Sequence, residues 1–138
     1  MKNAKWMLTV TVLLMSGLMA AQSLTSSTVV ANVPFDFMVN NKIIPAGECT
    51  AKSLSGDVLA INNFEARKGA LANSSHEDAT KSDRTVMVFE RYGSQYFLSE
   101  IRIEGSDVSY KLPKSRAEVE LRAQNAPASQ MTLLASLK

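Results

Sequence analysis

Two glycine–serine pairs, each set between stretches of alternating apolar residues, constrain the fold of this chain most strongly. Gly93-Ser94 separates residues 86–92 from residues 95–104, and Gly105-Ser106 separates the latter from residues 107–112. Glycine in the first place of a two-residue loop is typical of the type II′ β-hairpin. The spacing therefore predicts a meander of three antiparallel strands.

The two loops also predict how these strands pair. The predicted pairs are Glu90–Phe97, Val88–Ser99 and Val86–Ile101 in the first hairpin, and Glu100–Lys111, Ile101–Tyr110 and Ile103–Val108 in the second. This register places the large apolar side chains on one face and pairs opposite charges on the other, which favours it over a register shifted by one residue. Arg91 and Tyr96 face each other in it, and we expect a cation–π contact between them.

Further segments show the same period of two. Residues 29–39 alternate strictly, which predicts one half-buried strand. Pro34 has no N–H group to donate, so this strand is expected to lie at a sheet edge or to contain a bulge there. Other strands are predicted over residues 48–54, 58–61, 64–72 and 131–137, with turns at 40–42, 55–57 and 62–63 and an exposed polar loop over 73–84.

The pattern changes after Pro113. Residues 115–118 match a capping box, in which Ser115 and Glu118 each bond the backbone N–H of the other. A short surface helix over residues 114–125 is predicted, in preference to a loose strand. The fold class is therefore all-β, with about eight strands and one short helix near the C-terminus, as either a small antiparallel barrel or a sandwich.

The N-terminal residues have the layout of a secretory signal. Lys2 and Lys5 precede an apolar run over residues 6–15, and small residues follow up to Ala21. This order predicts a signal peptide over residues 1–21, cleaved after Ala20 or Ala21. Residues 22–138 are then a single β domain that works in the periplasm or outside the cell. No stable membrane insertion is expected, because the run is about half the roughly 20 residues of a spanning helix.

The exported chain is electrically balanced and has one cysteine. Without residues 1–21 it carries 13 basic and 13 acidic residues, which predicts no binding to nucleic acid or anionic membrane. Cys49 has no partner for an internal disulfide and is expected to be a small buried residue. Intermolecular pairing or a reactive thiol is the alternative.

Four motifs together resemble a family of small exported bacterial proteins. They are PFDF at 34–37, IPAGE at 44–48, RYGSQYFLSEI at 91–101 and LPKSR at 112–116, and the likeness covers residues 29–121. The family pattern usually has an aromatic residue in place of Cys49 and often a histidine in place of Glu90. The resemblance implies a shared fold and export, and it implies no activity.

The candidate ligand-binding residues are Glu90, Tyr92, Phe97 and Tyr110, which the predicted register places on one apolar face. A carboxylate there is a polar anchor in a cavity, or else it reaches water at the hairpin tip. His76, the single histidine, lies in the polar loop and is expected to be solvated. No catalytic, cofactor or metal site is predicted, because these need several groups converging from separate elements.

These observations predict a non-enzymatic exported module that binds a small ligand or an envelope or extracellular component. The alternatives are a carrier barrel for a small apolar ligand, a hydrolase-type enzyme, and a structural protein that assembles through the strand containing Pro34. The sequence leaves the ligand and the oligomeric state open.

Overall fold

The computed structural model describes residues 27–138, and the predicted signal peptide lies outside them. The described residues form twelve strands and one helix. The strands are β1 Thr28–Val33, β2 Phe37–Val39, β3 Lys42–Ile44, β4 Gly47–Ser55, β5 Val58–Asn63, β6 Lys68–Asn73, β7 Ser75–Asp78, β8 Val86–Tyr92, β9 Gln95–Arg102, β10 Val108–Lys111, β11 Ala128–Leu134 and β12 Ser136–Leu137, and the helix is α1 Arg116–Ala123.

The strands form two sheets that pack face to face. The five-stranded sheet has the order β12-β1-β4-β5-β6, and the seven-stranded sheet has the order β11-β8-β9-β10-β7, with β2 joining β9 to β3. Both contribute to one buried core, in which Phe37, Phe89 and Ile61 are among the largest side chains. The predicted all-β fold with one short C-terminal helix is confirmed, and of the two alternatives the architecture is the sandwich. The strands are shorter and more numerous than the predicted eight.

The alternating segment 29–39 is two strands rather than one. Its alternate side chains Val29, Val33, Phe37 and Val39 are buried as predicted. However, β1 ends before Pro34 and β2 begins after Asp36, so the chain passes here from one sheet to the other. Pro34 thus lies between two strands, and no bulge is needed there. The adjoining end of β1 pairs with β4 alone, because β12 reaches only Val29 and Val30.

The hairpin of β8 and β9 follows the predicted register only near its tip. Glu90 pairs with Phe97, and Arg91 pairs with Tyr96 and places its guanidinium carbon 5.4 Å from the ring centroid, which confirms the cation–π contact. Beyond Leu98 the register shifts by one residue, since Ser99 is an extra residue in β9.

This β-bulge overturns two predicted pairs. Val88 pairs with Glu100 instead of Ser99, and Val86 pairs with Arg102 instead of Ile101. The bulge divides the predicted apolar face. Met87, Phe89, Leu98 and Ile101 belong to the core between the sheets, whereas Val88, Glu90, Phe97 and Glu100 lie on the opposite side, called here the outer face.

The second hairpin is also partly as predicted. Tyr110 pairs with Ile101 and Lys111 pairs with Glu100. The loop is longer than two residues, because the turn runs from Ile103 to Ser106, with Ser106 N donating to Ile103 O at 3.0 Å. Gly105 takes the left-handed φ of 77° in this turn. The predicted Ile103–Val108 pair is therefore absent from the ladder of β9 and β10.

Two predicted connections contain strand residues. Residues 75–78 of the predicted exposed loop form β7, an edge strand that pairs with β10 although all four of its side chains are exposed. Asn62 and Asn63 end β5 rather than forming a turn, and the turn follows at Phe64–Arg67. The Asn63 side chain is buried and donates to Pro45 O and Ala46 O at 3.0 and 3.2 Å.

The predicted closing strand over residues 131–137 is divided as well. β11 joins the seven-stranded sheet beside β8, and β12 joins the five-stranded sheet beside β1. Ala135 lies between them, and its N–H donates to Thr85 O at 2.9 Å. The chain thus crosses between the sheets here as it does at Pro34, and both crossings fasten the sandwich.

Candidate ligand-binding groove

Helix α1 begins as predicted and then departs from the capping box. Ser115 is the N-cap, and its hydroxyl accepts a hydrogen bond from Glu118 N at 3.3 Å. The Glu118 side chain does not return to Ser115. It is buried, accepts a hydrogen bond from the Tyr92 hydroxyl at 3.1 Å, and lies 3.4 Å from Lys114 Nζ. This contact holds the start of α1 on the outer face of the seven-stranded sheet.

The four predicted ligand-binding residues do not share one site. Glu90, Tyr92 and Phe97 lie together on the outer face, where the rings of Tyr92 and Phe97 are 5.7 Å apart. Tyr110 packs against the core on the other side of the sheet, because the bulge at Ser99 reverses the alternation between Phe97 and Ile101. The structure therefore separates Tyr110 from the other three residues.

Tyr92 and Phe97 support the sheet and the helix. Both are buried, and Phe97 lines a small pocket together with Ser115 and Glu118 at the start of α1. Burial raises the pKa of Tyr92 to about 12, and the charge and hydrogen bond of Glu118 act in the same direction. Of the three residues on the outer face, Glu90 is the one that a ligand can reach.

Glu90 lies in a groove of about 640 Å³ that crosses the outer face. The floor comes from all five strands in the order β11-β8-β9-β10-β7, a span of about 19 Å at the usual strand spacing. The lining side chains are mostly polar, and they are those of Asn73, Ser74, Ser75, Glu77, Glu90, Ser99, Glu100, Lys111, Leu112, Pro113, Lys114 and Gln130.

The most buried charge in the groove is Glu100, which is 6% exposed. Arg102 donates two hydrogen bonds to it, from Nε at 3.0 Å and from Nη2 at 3.1 Å. Burial alone would raise the pKa of Glu100, but the hydrogen bonds and charge of Arg102 and the charge of Lys111 outweigh it and lower the pKa. The Ser109 hydroxyl is itself buried and meets no partner at hydrogen-bond geometry within residues 27–138.

The two cations that line the groove are already paired. Lys111 Nζ lies 2.7 Å from Glu77 Oε2, and this bond raises the pKa of Lys111. Lys114 pairs with Glu118. Glu90 forms no salt bridge within the described residues, and it accepts a hydrogen bond from Gln130 Nε2 at 3.3 Å. The groove therefore presents one carboxylate without a cation, beside uncharged donors and acceptors.

The sequence pattern indicates neither the approach of Gln130 to Glu90 nor the pairing of the two groove lysines with Glu77 and Glu118. Gln130 reaches Glu90 because β11 pairs with β8, forty residues earlier in the chain. Nothing local to residues 128–134 indicates that pairing. Lys111 was indicated by its predicted pairing with Glu100, which the structure confirms.

His76 lies on strand β7 rather than in a loop, and its side chain is exposed to solvent as expected. Its Nδ1 lies 3.0 Å from Asp57 Oδ1, and its ring lies 4.7 Å from the ring of Tyr110. Asp57 belongs to the turn between β4 and β5, so the contact links the two sheets. Among residues 27–138, no hydroxyl or thiol donates to the imidazole, and no three metal-ligating side chains cluster.

Cys49 is buried in the core, as predicted. Its thiol lies 3.5 Å from Gly47 O. Burial, followed by the charge of Glu48, raises the pKa of Cys49 to about 11. A thiol with this pKa is protonated at neutral pH and is a poor nucleophile.

Comparison of the chain with protein-family models, curated proteins and solved structures gives no match. The described part of the chain also contains no helix with the length and apolarity needed to cross a membrane.

Proposed function

We propose that this protein is an exported, non-enzymatic binding module that holds a neutral, hydroxyl-rich ligand, such as an oligosaccharide of the cell envelope or the extracellular medium, in the outer-face groove. The observation that carries the proposal is the charge arrangement of the groove. Lys111 and Lys114 are neutralised by Glu77 and Glu118. Of the three carboxylates that line the groove, Glu90 alone has no salt bridge to a described residue.

This arrangement favours a neutral ligand over an anion or a cation. An anion would meet Glu90 with no free cation to offset the repulsion. A cation would find one half-buried carboxylate, which Gln130 already hydrogen-bonds. Sugar hydroxyls both donate and accept, so they match the carboxylate of Glu90, the amide of Gln130 and the hydroxyls of Ser75 and Ser99.

Export is supported by the layout of the N-terminal residues, with Lys2 and Lys5 before an apolar run and small residues at Ala20 and Ala21. The non-enzymatic character is supported by the surroundings of the titratable groups. His76 meets a carboxylate but no nucleophile in the described structure, and the Cys49 thiol is buried.

The test uses the chain from Gln22 to Lys138. We expect it to bind neutral oligosaccharides on a glycan array, and calorimetry with the best of them should give a dissociation constant. Glu90→Ala removes a hydrogen bond to a charged group, worth about 1.5–3 kcal/mol, so affinity should fall by roughly 10- to 100-fold. Gln130→Ala should weaken binding less.

Glu120→Ala is the matched control, because Glu120 is an exposed carboxylate on α1 that pairs with Arg116 and does not line the groove. It should leave the affinity unchanged. Array signals confined to charged glycans, or an affinity that survives Glu90→Ala with Gln130→Ala, would show that the groove does not work as proposed.

A further inference from the structure

A second concave site lies between the two sheets, on the other side of β9 and β10 from the groove. It is a cleft of about 220 Å³ at one end of the sandwich. The five-stranded sheet lines it with Val29, Ala51, Ser53 and Leu59, and Ser27, which precedes β1, adds to this side. The seven-stranded sheet lines it with Ile101 and Tyr110, and Ile103 follows β9 on the same side.

The cleft exists because β4 turns small side chains toward the core here. The inward positions of β4 are small throughout, and Ala51 and Ser53 are the two that lie at this end of the sandwich. The space that larger side chains would fill is therefore left open to solvent at this end of the sandwich.

The lining contains no charged side chain. The residues with polar side chains in the lining are Ser27, Ser53 and Tyr110, and Ile103 and Tyr110 are only partly buried. Apolar cavities of about 150 Å³ stay dry and bind molecules as small as benzene. The volume of this cleft is sufficient for one ring with a small substituent, and its walls offer nothing to offset the desolvation of a charge.

Tyr110 forms the aromatic wall of the cleft and lies on β10, which pairs with both β9 and β7. Its ring packs edge-on against His76 at 4.7 Å between ring centroids, and His76 lies 3.0 Å from Asp57 in the turn between β4 and β5. Because β10 is held on both sides within the sheet, a ligand need not order this wall on binding. Edge-to-face contact with a second ring is the arrangement that such a tyrosine favours.

We propose that this cleft is a binding site for a neutral, single-ring aromatic molecule. The site is independent of the groove, since the two lie on opposite sides of the seven-stranded sheet and share no lining residue.

The experiment titrates the chain from Gln22 to Lys138 with 4-fluorotoluene, observing the ligand by fluorine NMR and the protein by methyl NMR. We expect saturable binding, with shifts concentrated in the methyl groups of Leu59, Ile101 and Ile103. Ser53→Leu fills the cleft and should weaken binding at least tenfold. Lys52→Leu adds the same side chain to the outward face of β4 and should leave binding unchanged.

Far-UV circular dichroism shows whether both variants keep the β fold. Three results would overturn the proposal: no saturation up to the solubility of the ligand, equal affinity in a folded Ser53→Leu variant, or equally tight binding of 4-fluorobenzoate, which carries a charge. Binding seen only in a chain that starts at Ser27 would assign the cleft to the residues that precede Ser27, and would overturn it as well.

Discussion

The hydrogen bond between Tyr92 and Glu118 is expected to decide how firmly α1 is held on the sheet. Tyr92 is 4% exposed, Glu118 is 3% exposed, and their oxygens are 3.1 Å apart. Tyr92→Phe removes the hydroxyl and keeps the ring. The buried carboxylate is then left with Lys114 Nζ at 3.4 Å as its one side-chain partner within the described residues.

The magnitude follows from the charge on the acceptor. A hydrogen bond to a charged group contributes about 1.5–3 kcal/mol. Tyr92 is neutral at pH 7 in both the folded and the unfolded protein, since burial raises its pKa from the ordinary 10.0 to about 12, so the hydroxyl is a donor throughout. We expect Tyr92→Phe to lower the free energy of unfolding by about 2 kcal/mol.

Urea unfolding followed by far-UV circular dichroism measures this change. With a slope of about 1–3 kcal/mol per molar urea, the midpoint should fall by about 1 M. Glu118→Gln tests the alternative role of Glu118, because a capping box accepts glutamine as well as glutamate and would lose little stability. Arg116→Ala, which breaks an exposed ion pair on α1, should cost less than about 0.5 kcal/mol.

A double-mutant cycle completes the argument. Tyr92→Phe and Glu118→Gln should be non-additive by about 1 kcal/mol or more, since one removes the donor of this contact and the other removes the charge that strengthens it. If Tyr92→Phe is within about 0.5 kcal/mol of the wild type, or if the two changes add, the reasoning about this contact is wrong.

Three further predictions concern the sheet and the core. The lowered pKa of Glu100 means that its carboxylate stabilises the fold above its ordinary pKa of 4.5, and that this stability is lost as the pH falls through the lower folded value. The thermal midpoint should therefore decline below about pH 4.5 and decline less in Glu100→Gln; equal slopes would contradict this. Cys49 should react with iodoacetamide only as fast as the protein unfolds, and rapid labelling of the native protein would show that the thiol is accessible. Deletion of Ser99 removes the bulge and leaves its neighbours on their present faces, whereas deletion of Leu98 places Ser99 in the core and should cost about 2–5 kcal/mol more. Equal thermal midpoints for the two deletion variants would contradict this interpretation of the bulge.

The sequence predicted which residues are buried better than which strands are neighbours. Alternation depends on adjacent residues, so Val29, Val33 and Phe37 could be assigned to the core from the sequence. Membership of a sheet depends on residues far along the chain. The crossings at Pro34 and Ala135 therefore could not be derived from alternation, which continues through both of them.

Strand β7 could not be predicted from the sequence pattern either. All four of its side chains are exposed, so it has no apolar alternation to detect. It is a strand because its backbone pairs with β10, and that pairing places His76 opposite Tyr110. The approach of Gln130 to Glu90 likewise depends on a long-range pairing, so the sequence could indicate one side of the groove but not its far wall.

The bulge could not be predicted from the sequence, because the register shifted by one residue, which the prediction disfavoured, is favourable in its actual surroundings. Pairing Val88 with Glu100 would be costly if both faced the core. The structure turns that part of β9 outward, where Arg102 and Lys111 hold the carboxylate. The penalty assumed for the shifted register is therefore absent.

A single extra residue in β9 thus explains why one short strand serves two different sites. In a regular ladder that keeps Phe97 on the outer face, Glu100 would point between the sheets and Ile101 would point away from them. A carboxylate in that core, away from Arg102 and Lys111, would be strongly destabilising. Because Ser99 is inserted, Glu100 contributes its charge to the outer-face groove while Ile101 lines the apolar cleft. Bulges often lie beside functional sites because they redirect side chains in this way, and here the redirection separates a polar site from an apolar one across the thickness of one sheet.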